Sequence, residues 1–285
     1  SFNPSLQFNA FVIYLHARHE ARLPASHGDL TQAAFYAVID ATAPELAQAL
    51  HDHDQRKPYT LSRLRGEPAA RQDGTLYLPA GWEGEFRLTL LHASLFKAFM
   101  QHLLDNPNLN IRLGQANFAI SQVYGAPGSH PWCGYTTAET LAAQAGQKRQ
   151  IHLHVASPAS FNLKEKADSD QPRLQVLPDA ELIWSGLRSN WQRFAGQTIP
   201  IEFENWVKRN VVIADVQRWE TAALRYKRRP LIGGRGNVTF EALHDDPEML
   251  RIWNLLADFA FYAGIGRKTA IGMGQCRRLT DERVT

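Results

Sequence analysis

This chain spells one order of elements twice, and few folds accommodate that order. Hydrophobic periodicity gives strand over 6–17, helix over 29–41, strands over 58–64 and 82–91, helix over 93–104 and one long strand over 110–124. The order then returns: strand over 150–156, helix over 179–194, strands over 211–226 and 238–243, helix over 247–263, strand over 272–279. Strand-helix-strand-strand-helix-strand is the split βαβ unit of the ferredoxin-like fold, so the expected class is α+β with two such domains in tandem. Between them, Gly125-Ala126-Pro127-Gly128-Ser129-His130-Pro131 is polar and rich in turn formers. The expected division is 1–124 as the first domain, 125–149 as a linker with a short helix, and 150–285 as the second domain.

At 285 residues, 44% of them apolar and 21% charged, the chain has enough apolar surface for two cores. Cys133 and Cys276 stand far apart and form no C-x-x-C, so neither a zinc knuckle nor a disulfide framework is expected, and a reducing cytosol fits. No run approaches the length of a membrane span, and no basic stretch leads into an apolar one near the N-terminus. A membrane partner and secretion are therefore not expected. A net charge of +3 with a pI near 8.9 is mild, and its distribution carries more information. Over 207–240, Lys208, Arg209, Arg218, Arg225, Lys227, Arg228, Arg229 and Arg235 face only Asp215 and Glu220. Over 259–280, Arg267, Lys268, Arg277 and Arg278 meet no acid at all. Two such runs favour nucleic acid as the partner.

The second basic run contains a glycine-rich loop, Gly264-Ile265-Gly266-Arg267-Lys268-Thr269-Ala270-Ile271-Gly272-Met273-Gly274. Glycine lets a backbone approach a ligand and turn its N–H groups toward it, and Arg267 and Lys268 add charge suited to phosphate. A P-loop places Gly-Lys-Ser/Thr at the start of a helix, and the dinucleotide fingerprint follows a strand and opens a helix. Here the order is helix, loop, strand, so a different polyanion site is expected, against the plainer reading of a helix C-cap at Gly264 followed by a turn. The expected nucleic-acid-binding residues are Gly264, Gly266, Arg267, Lys268, Gly272 and Gly274, with Arg225, Lys227, Arg228 and Arg229 from the first basic run.

Chemistry is expected between Ser26 and Lys57. Asp29 with Gln32 can cap the first helix, and Thr42 with Glu45 forms a capping box for a second short one through Leu46 and Leu50. His51 then falls at a helix C-terminus, where the dipole favours a cation, with Lys57 just beyond and Tyr36 on the preceding helix. Such a trio can cut a phosphodiester without metal: one group deprotonates the ribose 2′-hydroxyl, one protonates the leaving oxygen, and a cation offsets charge on the phosphorane. Against this stand an exposed helix-end histidine and a core tyrosine with a surface hydroxyl. The run His51-Asp52-His53-Asp54 also offers metal ligands, but ligands so close in sequence need a further partner to share one ion, and none is apparent. His152 and His154 share one face of a strand, expected at a solvent-facing sheet edge.

Taken together, Leu23-Pro24-Ala25-Ser26-His27-Gly28 leading into a helix with Ala34, Tyr36, Val38 and Ile39, then Leu50-His51, then Ser157-Pro158-Ala159-Ser160-Phe161, and the glycine loop resemble the CRISPR-associated repeat-processing endoribonucleases over the whole chain. The resemblance implies tandem ferredoxin-like domains and cleavage of precursor CRISPR RNA within each repeat, yielding a guide RNA that joins other effector subunits. His51 matches the family's catalytic histidine, and Tyr36 and Lys57 match a tyrosine and a lysine used as base and charge stabiliser, with His27 and His53 in reserve. No cofactor or metal is implied. The expected activity is a metal-independent endoribonuclease leaving a 2′,3′-cyclic phosphate and a 5′-hydroxyl. The alternatives are a non-cutting RNA-binding subunit of an effector complex and a metal-dependent phosphodiesterase built on His51, His53 and their aspartates.

Overall fold

The computed structural model describes residues 7–25, 27–51, 56–163, 165, 167–168, 172–226 and 229–280. They divide into two units: the first takes the chain up to Thr136 and also short returns of it, among them Ala270–Gly272, and the second takes most of the chain from Thr137 onward. No helix among the described residues is long and apolar enough to cross a membrane.

The first unit begins with β1 (Phe8–Ala17) and the short β2 (Ala21–Pro24), which lead into α1 (Gly28–Thr42) and α2 (Pro44–Leu50). Next come β3 (Tyr59–Leu61), β4 (Arg65–Gly66), β5 (Ala70–Gln72) and β6 (Thr75–Leu78), then β7 (Glu83–Leu90), α3 (Ala93–Asp105), β8 (Asn110–Leu113), β9 (Ala116–Tyr124) and β10 (Gly134–Thr136). The main sheet runs β3-β7-β1-β9-β8, with each neighbouring pair antiparallel, and β10 extends the start of β1. Strand alternation explains its core, because Phe11, Ile13, Leu15 and Ala17 of β1 share one face and join Phe86, Leu88 and Leu90 of β7 beneath Phe35 and Ile39 of α1 and Leu95, Ala98 and Phe99 of α3.

Four expectations change here. The long strand over 110–124 is a hairpin, turned at Gly114 where φ is +60°. The Asp29/Gln32 cap is not formed, since α1 starts a residue earlier with His27 at its N-cap; α2 takes Ala43 as N-cap with Pro44 behind it, so Thr42 closes α1 instead of capping α2. A small sheet, β2-β6-β5, stands outside the expected order; its hairpin turns on Asp73-Gly74, both at positive φ, the pair that favours a two-residue hairpin turn.

The second unit comprises α4 (Ala138–Gln144), β11 (Gln150–Ala159), β12 (Phe161–Asn162), β13 (Leu174–Gln175), α5 (Ala180–Ala195), α6 (Glu202–Asn210), β14 (Val211–Tyr226), β15 (Arg229–Ala242), α7 (Pro247–Ala263) and β16 (Cys276–Leu279). Its sheet runs β14-β15-β11-β16, again the ferredoxin-like order, so the molecule is α+β with two such units in tandem. Asp179 caps α5 by accepting from Leu182 N–H at 2.9 Å, and Asp246 caps α7 ahead of Pro247. The core is aromatic: Trp184 meets Phe240 at 5.4 Å and Trp253 at 5.6 Å, and Trp206 meets Trp253 at 6.0 Å between ring centres. β15 begins well before the expected 238, and the last strand begins at Cys276 instead of 272. His152 and His154 do not lie at a sheet edge, because β11 is flanked by β15 and β16. Both are half-buried, with Nδ1 2.8 Å from Thr239 Oγ1 and 2.7 Å from Asn237 Oδ1 respectively.

Candidate active site

A helix of α2's seven residues is too short to persist alone in water, so tertiary anchors must hold it. Pro44 at N1 sets its start, and Ala47 and Leu50 are buried against the first unit's core, a fully buried leucine contributing about 2 kcal/mol. The last carbonyl of α2, that of Leu50, thereby becomes a fixed point. Tyr36 Oη donates to it at 3.2 Å, and Lys57 Nζ donates to it as well. His51 follows directly, exposed, with its ring stacked on Tyr36 at 4.4 Å between centres and 25° between planes. The structure thus gathers His51, Tyr36 and Lys57 around one carbonyl.

Beneath this group lies a residue that sequence reasoning misses. Tyr59, the first residue of β3, is 0% exposed and donates to Tyr36 Oη at 3.0 Å while accepting from Gln32 Nε2 at 2.9 Å. Burial holds the Tyr59 phenol firmly protonated. Gln32 and Tyr36 are four residues apart on α1 and so share a face, a spacing that could have flagged the pair. Phe35 packs on the Tyr59 ring at 4.6 Å.

His27, the reserve catalytic residue, has a different place. It is buried, its Nδ1 lies 3.1 Å from Pro24 O, and its Nε2 accepts from Leu64 N–H at 3.0 Å. Those partners define the neutral imidazole with its proton on Nδ1, and burial, aided by the Arg63 charge, lowers its pKa to about 4. His27 ties the entry of α1 to the segment before β4. His53, with Asp52 and Asp54, lies outside the described residues, and among the described residues no three His, Cys, Asp or Glu side chains group as metal ligands.

The glycine loop is mostly buried, with Arg267 half-buried and Lys268 exposed. Gly264 ends α7, and Gly264, Gly266, Gly272 and Gly274 all have positive φ. What approaches these glycines is protein: a Cβ on Gly266 would lie 2.5 Å from Ser160 O, and one on Gly274 would overlap the Ile265 carbonyl. The loop is zipped to the Ser157–Phe161 run, with Arg267 N–H donating to Ser160 O at 2.9 Å, Gly274 N–H to Pro158 O at 3.0 Å and Gln275 N–H to Ser157 Oγ at 2.9 Å. Ala270–Gly272 belong to the first unit, where Ala270 joins the hydrophobic core and the Ile271 carbonyl fills the space beside Gly28 at the start of α1. Lys268 holds φ +59°, uncommon for a residue with a side chain. Arg225 and Arg229 lie on β14 and β15, and Lys227 and Arg228 fall outside the described residues.

Two ferredoxin-like units with a histidine-tyrosine-lysine cluster in the first define the class. The chain belongs to the Cas6 family: residues 10–142 match the CRISPR Cas6 N-terminal domain and 153–276 match the CRISPR-associated endoribonuclease Cas6. Among solved structures, a Cas6 product complex is 26% identical with TM-score 0.80, over 95% of this chain and 100% of that one. Thermus thermophilus Cas6 is 24% identical with TM-score 0.72, over 96% and 99%. The product of a Cas6-related gene from Pyrococcus furiosus keeps the fold at 12% identity, TM-score 0.65, over 96% and 99%. No curated protein sequence matches the chain.

Proposed function

We propose that this protein is a metal-independent endoribonuclease that cleaves CRISPR repeat RNA in precursor transcripts, leaving a 2′,3′-cyclic phosphate and a 5′-hydroxyl. The observation that carries this reading is the exposed His51 imidazole seated on Tyr36, with the Lys57 ammonium directed to the adjoining Leu50 carbonyl. Solved Cas6 proteins include product and substrate-mimic complexes, which supports an RNA substrate here. In the proposed reaction the ribose 2′-oxygen attacks the adjacent phosphorus and the 5′-oxygen leaves. His51 transfers the proton at one of those oxygens and solvent exchanges the proton at the other, so that one proton leaves the 2′-hydroxyl and one arrives at the 5′-oxygen, while Lys57 offsets the charge that builds on the phosphorane. Arg267 and Lys268, the loop's accessible cations, are the proposed phosphate contacts.

A repeat RNA with a single 2′-deoxy sugar immediately upstream of the cut tests this directly. It should bind like the parent RNA and resist cleavage, EDTA should leave the parent reaction unchanged, and His51→Ala should cut about 10²- to 10⁴-fold more slowly at similar affinity. Cutting of the deoxy substrate, or chelator-sensitive activity restored by a divalent ion, would move the assignment to a metal-bound water as nucleophile.

A further inference from the structure

The proton order in the cluster is fixed by its last acceptor. A carbonyl oxygen can only accept, so Tyr36 must give its one hydroxyl proton to Leu50 O. Having no second proton, Tyr36 Oη must accept from Tyr59, and Tyr59 Oη, its proton spent, must accept from Gln32. The chain Gln32 to Tyr59 to Tyr36 to Leu50 therefore runs one way. Removing the Tyr36 proton would leave two oxygens 3.2 Å apart with no hydrogen between them, in a cluster backed by fully buried Tyr59.

We infer that Tyr36 is a positioning residue whose ring seats the His51 imidazole, and that Tyr59 and Gln32 are further positioning residues that lock Tyr36 in place. This rests on His51 as the proton-transfer group. It departs from a role for Tyr36 as base, because a base must yield and regain a proton, whereas here the hydroxyl is committed on both sides. Tyr59 acts at one remove: its hydroxyl holds the Tyr36 hydroxyl, which holds the ring, which carries the imidazole. Gln32 completes the line from the opposite end, on the same face of α1 as Tyr36.

Single-turnover cleavage and RNA affinity, measured across pH for full-length variants, test the inference. Tyr36→Phe keeps the stacking ring and loses only the hydroxyl; it should slow cleavage about three- to tenfold, with RNA affinity and the shape of the pH–rate profile unchanged. Tyr36→Leu removes the ring and should slow cleavage by about 100-fold. Tyr59→Phe should reproduce the Tyr36→Phe defect at unchanged affinity and add nothing in the Tyr36→Phe background, because both act through one hydroxyl. A Tyr36→Phe defect as deep as that of His51→Ala, or loss of a limb of the pH profile, would make Tyr36 the base and overturn the inference. So would a Tyr59→Phe enzyme that cuts like the parent, or additive losses in the double variant. Thermal unfolding of each variant separates these outcomes from loss of fold. Wild-type cleavage by His51→Ala would instead remove the assignment of His51 on which all of this rests.

Discussion

His27 carries no charge in the folded protein at neutral pH, and that has a measurable consequence. Its pKa is held at about 4 by burial and by Arg63, whereas an exposed histidine titrates near 6.5. Between those values the unfolded chain binds a proton that the folded chain refuses. The stabilisation from His27 is therefore complete above about pH 6.5 and is lost as pH falls toward 4, by up to about 3 kcal/mol. Denaturant unfolding at pH 7, 5.5 and 4.5 should show this decline, and His27→Gln, which can donate and accept without titrating, should flatten it. Equal slopes in the two proteins would mean that His27 is not a neutral tie between the Pro24 carbonyl and the Leu64 N–H. Chemistry and resemblance could nominate Tyr36, His51 and Lys57 from the sequence, since each belongs to a residue type suited to phosphodiester cleavage. Tyr59 was out of reach because its meeting with Tyr36 depends on where β3 begins and on how β3 pairs with β7. His27 shows the converse: a histidine beside a helix start reads as reactive until its two backbone partners are visible.

Among the elements, the strands and helices that bury an alternating or helical apolar face were legible, and the short or turned ones were not. The hairpin of β8 and β9 reads as one strand because its residues alternate on both sides of Gly114. The β5-β6 hairpin does carry a local signal, the Asp73-Gly74 pair, but its strands are too short to show a period of their own. The glycine loop teaches more, because glycine marks a close approach without saying what approaches. Here Ser160 and the Ile265 carbonyl do so, which is why the Ser157–Phe161 run and the loop behave as one element. A pair of alanine substitutions separates close packing from backbone conformation. Gly274 and Gly81 both have positive φ, +70° and +80°, but a Cβ at Gly81 would meet no described atom within 4 Å. Gly81→Ala should cost about 1 kcal/mol from conformation alone, and Gly274→Ala should cost clearly more, by about 1–3 kcal/mol, because it overpacks. Equal losses in chemical denaturation would show that the loop is open at Gly274 and not filled by the Ile265 carbonyl.

For the whole molecule, the double βαββαβ order was the most legible property, because a repeated topology survives errors of several residues at each boundary. What the order could not reveal is that the chain's late residues Ala270–Gly272 are built into the first unit, since a return of three residues leaves no periodicity to detect. Nor could composition say which cations of the two basic runs reach an RNA. In the loop, Arg267 is half-buried and Lys268 exposed, and outside it Arg235 is paired with Glu220 at 2.7 Å, so charge content and charge available to phosphate differ. Salt dependence measures the second quantity. Each phosphate neutralised by a cation releases counterions and adds about 0.7 to 0.9 to the slope of log affinity against log salt. If Arg267 and Lys268 each meet one phosphate, the double variant Arg267→Ala with Lys268→Ala should bind repeat RNA more weakly and with a slope shallower by about 1.4 to 1.8. A titration of binding from low to moderate salt on both proteins reads this out. Because the loop's backbone is held by Ser157, Pro158 and Ser160, the variant should fold like the parent, and an unchanged slope would place the RNA phosphates on other residues.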